Sequence, residues 1–329
     1  MGPLQVHMEI ERWPLRVPFR ISGYTFTTID VMVVSVEKDG MIGRGEAAGV
    51  YYRNETAAGL LEQIAPLRQQ IEAGITRDSL QKLLPAGGAR NALDCALWEL
   101  ESKLQRRPVW ELAGLQEPRS LLTTFTCGAE DPSVMAATAR SYSGARAIKL
   151  KLTGDPIDAD RVRAVRECLP HVWLGVDANQ GLTRATLEQL MPVLLDAGVS
   201  LIEQPLPVGQ EAQLDGFRSP IPLAADESVQ GLADLPGMVG RFDVINIKLD
   251  KCGGLTEGLE MARRARTLGL ETMVGNMIGT SLAMAPAFLV GQLCSVVDLD
   301  GVALLGTDRP NGVSYADGYV SCSATTWGA

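Results

Sequence analysis

Short apolar segments recur along the last two-thirds of the chain, each running into a charged residue or a glycine at nearly even steps. Lys149 and Lys151 close Ala147-Ile148-Lys149-Leu150-Lys151, and Asp177 closes Trp173-Leu174-Gly175-Val176-Asp177. Glu203 follows residues 199–202, Asp226 follows 222–225, and Lys248 ends Val244-Ile245-Asn246-Ile247-Lys248. Gly275 follows Thr272-Met273-Val274, and Asp298 and Asp300 follow Ser295-Val296-Val297. The steps from Lys149 through Asp177, Glu203, Asp226, Lys248 and Gly275 to Asp298 are 28, 26, 23, 22, 27 and 23 residues. Each is long enough for one strand and the helix that carries the chain back beside it, as parallel pairing requires. With residues 121–126 as the first strand, the count reaches eight. The reading is an α/β fold, a modified TIM barrel of the (β/α)7β type, whose C-terminal strand ends share one face.

The first third reads differently. Val31-Met32-Val33-Val34-Ser35-Val36 is β-rich, Lys38-Asp39-Gly40 is a turn, and Gly43-Arg44-Gly45-Glu46 follows, so residues 5–50 are expected to be antiparallel strands. Residues 55–115 read as helical, with Leu93, Leu97, Leu100 and Leu104 on one stripe. Strands followed by helices predict an α+β capping domain over 1–118, to which 309–329 returns. The barrel is expected over 119–308, with Pro192 inside one of its helices, as a kink or near the first turn.

Composition excludes several classes. The net charge is −9, and the one basic cluster, Arg263-Arg264-Ala265-Arg266, reads as a solvated helix face, which argues against nucleic-acid binding. His7 and His171 are the only histidines, too few for a zinc centre of the usual type. The six cysteines contain no Cys-x-x-Cys pair and resemble reduced thiols. There is no signal-peptide pattern and no apolar run of membrane-spanning length. A cytoplasmic, soluble protein that engages no membrane is expected, with homo-oligomerisation left open.

The charged strand ends suggest chemistry. Asp177, Glu203 and Asp226 come from three successive strands, and carboxylates that converge repel unless a cation joins them. Oxygen ligands without nearby Cys or His favour Mg²⁺. Lys149 and Lys151 lie two residues apart on a strand and so share a side. Crowding and burial should lower the pKa of at least one, making a general base near neutrality. Lys248, on the sixth strand, lies across the barrel from Lys151. Two bases on opposite sides of one carbon are what racemisation needs, one removing an α-proton and the other returning a proton to the opposite face. Mg²⁺ and Lys149 would offset the charge of the enediolate formed between the two transfers. Asp298 and Asp300, opposite no basic residue, are expected to await a cationic group.

The stretches Lys149-Leu150-Lys151, Asp177-Ala178-Asn179-Gln180-Gly181, Glu203-Gln204-Pro205, Ala225-Asp226-Glu227-Ser228 and 246–254 together resemble the enolase superfamily, in its muconate-lactonising subgroup. Its pairing of a Lys or His base with Mg²⁺ is a known pattern. The resemblance implies Lys151 and Lys248 as the two bases and Asp177, Glu203 and Asp226 as Mg²⁺ ligands. Asp298-Leu299-Asp300 is similar to the Asp-x-Asp of dipeptide epimerases, whose carboxylates hold the substrate's ammonium group. Residues 84–98 and Gly275-Asn276-Met277-Ile278 also resemble the bacterial L-Ala-D/L-Glu epimerases, with Met277, Ile278 and Asn179 implied beside the substrate. One departure stands out. Those epimerases can carry an arginine after the N-terminal Pro-Phe, and here residues 18–24 put Tyr24 there, with Arg20 or Arg53 as substitutes. The implied activity is inversion of the C-terminal residue of an L-Ala-X dipeptide in murein peptide metabolism. N-acylamino-acid racemase, o-succinylbenzoate synthase and cycloisomerase activity are the alternatives on the same site, and a non-catalytic ligand-binding barrel is the alternative of another class.

Overall fold

The structure, a computed structural model, describes residues 4–21 and 23–328. Strands β1 (Gln5–Ile21) and β2 (Tyr24–Lys38) form a long antiparallel hairpin, with a register irregularity between Pro14 and Phe19. Asp39 and Gly40 then take positive φ, 51° and 76°, the turn that suits a tight hairpin, and β3 (Met41–Ala47) pairs back onto β2. The helix Gly88–Gln105 packs against β3 so closely that glycine is obligatory there. A Cβ on Gly43 would lie 2.1 Å from the Ala96 carbonyl oxygen, and one on Gly45 2.0 Å from that of Ala92. Leu93, Leu97 and Leu100 of the expected stripe are buried, whereas Leu104 at the helix end is exposed.

The barrel departs from expectation at its start. Residues 121–126 are not one strand. β4 (Leu121–Leu122) leaves the barrel and pairs with a C-terminal strand, while β5 (Phe125–Cys127) begins the parallel sheet. The buried hydroxyls of Thr123 and Thr124 lie between them. From β5 the sheet runs in chain order: β6 (Ala147–Lys151), β7 (Trp173–Asp177), β8 (Leu201–Glu203), β9 (Leu223–Ala225), β10 (Val244–Ile247), β11 (Glu271–Val274) and β12 (Val296–Val297). The Thr124 amide donates to the Val297 carbonyl at 3.0 Å and joins the first strand's edge to the eighth. Leu201, Ala224, Val244 and Met273, from four neighbouring strands, form a small apolar cluster within the sheet. Pro192 sits inside the helix Arg184–Asp196, past its first turn.

The two regions are tied by buried polar contacts. Arg90 donates to the Cys252 carbonyl (2.6 Å), and Asp94 accepts from the amide and hydroxyl of Thr256 (2.9 and 2.7 Å). After β13 (Ser314–Ala316) and β14 (Tyr319–Ser321), which complete the small sheet with β4, the tail reaches β3: the Trp327 indole donates to the Arg44 carbonyl at 2.8 Å. Among the described residues no helix is long and apolar enough to cross a membrane.

Candidate active site

Strand register brings the charged residues together. Lys151 pairs with Asp177 across β6 and β7, and Asp177 with Glu203 across β7 and β8, so three charged positions lie side by side at one end of the sheet. The side chains are almost wholly buried and locked to one another. Lys151 Nζ reaches Asp177 Oδ2 at 2.5 Å. Lys248 Nζ reaches Asp226 Oδ2 at 2.6 Å. Lys149 Nζ bridges Glu203 Oε2 (3.1 Å), Asp298 and, at 3.9 Å, Asp177 Oδ2. That Lys149 and Lys151 both reach Asp177 agrees with their sharing one side of the strand.

Two expectations need correction. Asp298 and Asp300 were expected to face no basic residue. Asp298 instead takes Lys149 and the Thr124 hydroxyl, while Asp300 accepts the Thr126 amide at 2.6 Å. No ion pair reaches Asp300 among the described residues. Its carboxyl is pushed up to about 6 by burial and by the charge of Asp298. The second correction concerns Lys149, where the lowering expected of at least one of the two strand lysines is not found. Burial pulls Lys149 and Lys248 down, but their carboxylate neighbours outweigh it and leave both well above the ordinary value. The lysine that burial does lower is Lys251, a residue given no role from sequence.

Among the described residues, no three acids, histidines or cysteines stand close enough as placed to hold an ion. Each acid expected to converge is turned onto an ammonium group, because a buried carboxylate takes the nearest counter-charge. The donor set nevertheless fits a hard cation. Burial, followed by the charges of Asp177 and Asp226, pushes Glu203 up to about 7, so the acids still strain one another. Asn179 Oδ1 and Glu227 Oε2 are buried without a hydrogen-bond partner, and Glu227 is pushed up to about 8 by burial and by Asp226. Acids in mutual repulsion beside unpaired oxygens are suited to Mg²⁺.

Supporting residues hold these acids in place. The Asn246 amide donates to Glu203 Oε1 at 2.6 Å. Gln204 Oε1 accepts the amides of Asp226 and Ser228 (2.9 and 3.1 Å), tying the end of β8 to that of β9. Asn179 donates its backbone amide to Asp177 Oδ1 at 2.9 Å. Sequence offered no periodic signal for Asn246 or Lys251, because the acids they hold, Glu203 and Asp226, lie 43 and 25 residues back, at the ends of β8 and β9.

A cavity of about 370 Å³ opens above this cluster, a volume suited to a small ligand. Lys151 and Lys248 both line it, with Asn276, Met277 and Ile278 beside them. Phe19, Ile21, Phe26 and Tyr51 supply much of its apolar wall. Of the residues expected beside the substrate, Asn179, Asp298, Asp300, Tyr24 and Arg20 do not line it: the two acids and Asn179 hold the contacts given above, Tyr24 packs edge-on against Tyr51, and Arg20 pairs with Glu130 at 3.3 Å. Arg53 reaches Gln230 and Glu55 instead. Ser22, within the same motif, lies outside the described residues.

Residues 4–114 match the family described as mandelate racemase / muconate lactonizing enzyme, N-terminal domain, and residues 134–325 match the enolase C-terminal domain-like family. The L-Ala-D/L-Glu epimerase of Escherichia coli (strain K12) is 39% identical over 310 residues, 94% of this chain and 96% of that protein. The N-acetyl-D-glutamate racemase of a Pseudoalteromonas species is 43% identical over 246 residues, 74% of this chain and 78% of that protein. Among solved structures, an Agrobacterium tumefaciens enolase family member with homology to dipeptide epimerases, bound to sodium and L-Ala-L-Glu, has a TM-score of 0.96 at 39% identity, covering 99% of this chain and 100% of that one. The dipeptide epimerase of Enterococcus faecalis V583, complexed with Mg and L-Leu-L-Tyr, has a TM-score of 0.91 at 30% identity, covering 98% of each chain.

Proposed function

The chain belongs to the mandelate racemase / muconate lactonizing enzyme family of enolase-like proteins, and from that membership we propose a Mg²⁺-dependent dipeptide epimerase. It inverts the α-carbon of the C-terminal residue of an L-Ala-X dipeptide. The E. coli relative and the L-Ala-L-Glu of the Agrobacterium neighbour support L-Ala-D/L-Glu, and with it a place in murein peptide metabolism. The observation that carries the reading is the pair of lysines, Lys151 from β6 and Lys248 after β10, facing one cavity.

The two lysines divide the proton transfers. One amine takes the α-proton of a bound dipeptide while the opposite ammonium gives a proton to the other face. Lys248 is paired with Asp226, whose charge holds the amine above the ordinary lysine range. Asp177, Glu203 and Asp226 would hold Mg²⁺, which when bound supplies positive charge to the substrate carboxylate as the α-proton leaves. Lys149, already shared among acids, balances their charge. The cavity's apolar wall excludes water and strengthens the remaining electrostatic contacts. Asp300 would receive the substrate's ammonium group.

The test is incubation of L-Ala-L-Glu with the protein in D₂O and Mg²⁺, following α-deuterium and L-Ala-D-Glu by NMR and chiral chromatography. Lys151→Ala and Lys248→Ala should each lose epimerisation by about 10³-fold or more, given what a positioned acid or base contributes. Exchange from one stereoisomer should survive in each. Full epimerisation by either variant would refute the two-base assignment. The Pseudoalteromonas relative, with the existing Lys149–Asp298 pair, favours one second reading, N-acylamino-acid racemisation. Comparing L-Ala-L-Glu with N-acetyl-L-Glu separates the two.

A further inference from the structure

Lys251 is a buried cation that the two-base scheme does not use. It is 1% exposed and lies on the single helical turn Leu249–Cys252 that follows β10. Its three ammonium hydrogens have three acceptors: Asp226 Oδ1 at 2.6 Å, the Asp226 carbonyl at 2.6 Å and the Asn246 carbonyl at 3.0 Å. A lysine so committed has no hydrogen or lone pair free for substrate, and it does not line the cavity.

Its partners point to a different task. Asp226 has two carboxylate oxygens with separate neighbours. Oδ1 belongs to Lys251, and Oδ2 to Lys248 on the cavity wall. The Asp226 amide is in turn held by Gln204 Oε1. The second carbonyl that Lys251 holds is that of Asn246, whose side chain holds Glu203 Oε1. One ammonium group therefore ties the end of β9 to β10 and restrains two of the three acids, Asp226 directly and Glu203 through Asn246.

We infer that Lys251 is a positioning residue for the divalent cation, holding Asp226 by Oδ1 so that Oδ2 alone is presented toward Lys248 and the metal. The inference rests on the proposed Mg²⁺ site. Without Lys251 the Asp226 carboxylate could turn and give both oxygens to Lys248, competing with the cation. Partners that orient a metal ligand typically govern metal affinity by about 10- to 100-fold.

Lys251→Met removes charge and donors, and Lys251→Gln removes the charge but keeps an amide donor for the carbonyls. Calorimetric titration with Mg²⁺ alone, without substrate, should give a Kd about 10- to 100-fold weaker in each folded variant than in the parent. The Mg²⁺ concentration giving half-maximal epimerisation should rise in step. A purely structural lysine would lower the melting temperature and leave the Kd of the folded fraction unchanged. Folded variants that bind Mg²⁺ as tightly as the parent overturn the inference and leave the functional reading intact. Failure of both to fold also overturns it, in favour of a structural role. A parent that binds no Mg²⁺ overturns the metal site and the inference together.

Discussion

At the scale of single residues, what distinguishes this site is how completely its charges are paired. Asp177, Asp226 and Asp298 each have a lysine, whereas among the described residues no ion pair reaches Asp300, which accepts the Thr126 amide and feels the charge of Asp298 more strongly than that of Lys149. That leaves Asp300, unlike Asp298, free of a lysine partner that a substrate ammonium group would have to displace. Its carboxyl, pushed up to about 6 by burial and then by Asp298, is neutral below that pH and ionised above it. For a dipeptide with a free amino group, kcat/KM should therefore fall as pH drops below about 6. Asp300→Asn should remove that limb from the pH–rate profile. It should also lower kcat/KM by roughly two powers of ten, since losing one partner of a desolvated charge pair costs about 2–5 kcal/mol. The N-acetyl derivative, lacking the charge, should respond little. A variant that keeps the parent's profile for the free dipeptide would remove Asp300 from substrate binding.

At the scale of elements, the loop after β3 is fastened to the barrel by one acid. Asp250, on the turn Leu249–Cys252, accepts the Gly49 amide at 2.9 Å, and Gly49 and Tyr51 line the cavity. Burial pushes Asp250 up to about 7 from 3.8. An acid raised on folding opposes folding once the unfolded chain ionises. Its cost is absent below about pH 3.8, grows as pH rises, and levels off above about 7. Asp250→Asn keeps an acceptor for Gly49 and removes that charge. Relative to the parent, it should therefore gain about 2 kcal/mol between pH 5.5 and 7.5, at about 1.4 kcal/mol per pH unit. Denaturant unfolding at the two pH values measures the difference, and an equal response in both proteins would refute it. Much of the element layout was legible, because strand-sized apolar runs ending on Lys151, Asp177, Glu203, Asp226 and Lys248 repeat at one-unit spacing. The start of the barrel was not, because residues 121–126 look like one strand until β14 claims Leu121 and Leu122. Nor were the partners of Asp298. Lys149 lies 149 residues away along the chain, and only closure of the first strand against the eighth brings the two together.

At the scale of the whole molecule, the catalytic cavity belongs to neither half alone. The lysines come from the barrel, and Phe19, Ile21 and Phe26 come from the β1–β2 hairpin. The main core runs through both regions: Val31, Val33, Cys95 and Trp98 pack in one cluster with Ile148, Val176, Ile245 and Val290. Buried polar links cross the same boundary. Glu46 accepts the Thr280 amide at 2.7 Å, and Arg309, which pairs with Glu46 at 2.9 Å, donates to the Thr280 hydroxyl at 2.6 Å. Independent domains joined by a slight interface would melt separately, but cutting through a shared core exposes apolar surface at about 25 cal/mol per Å² and strands these charges. Thermal unfolding of the metal-free protein should therefore be one transition, coincident by calorimetry, tryptophan fluorescence and far-UV circular dichroism. Glu46→Ala leaves Arg309 without its buried partner and should lower the midpoint of the whole transition without splitting it. Two resolved transitions in the parent, or a variant in which only the amino-terminal signal shifts, would show that the hairpin folds apart from the barrel whose cavity it walls.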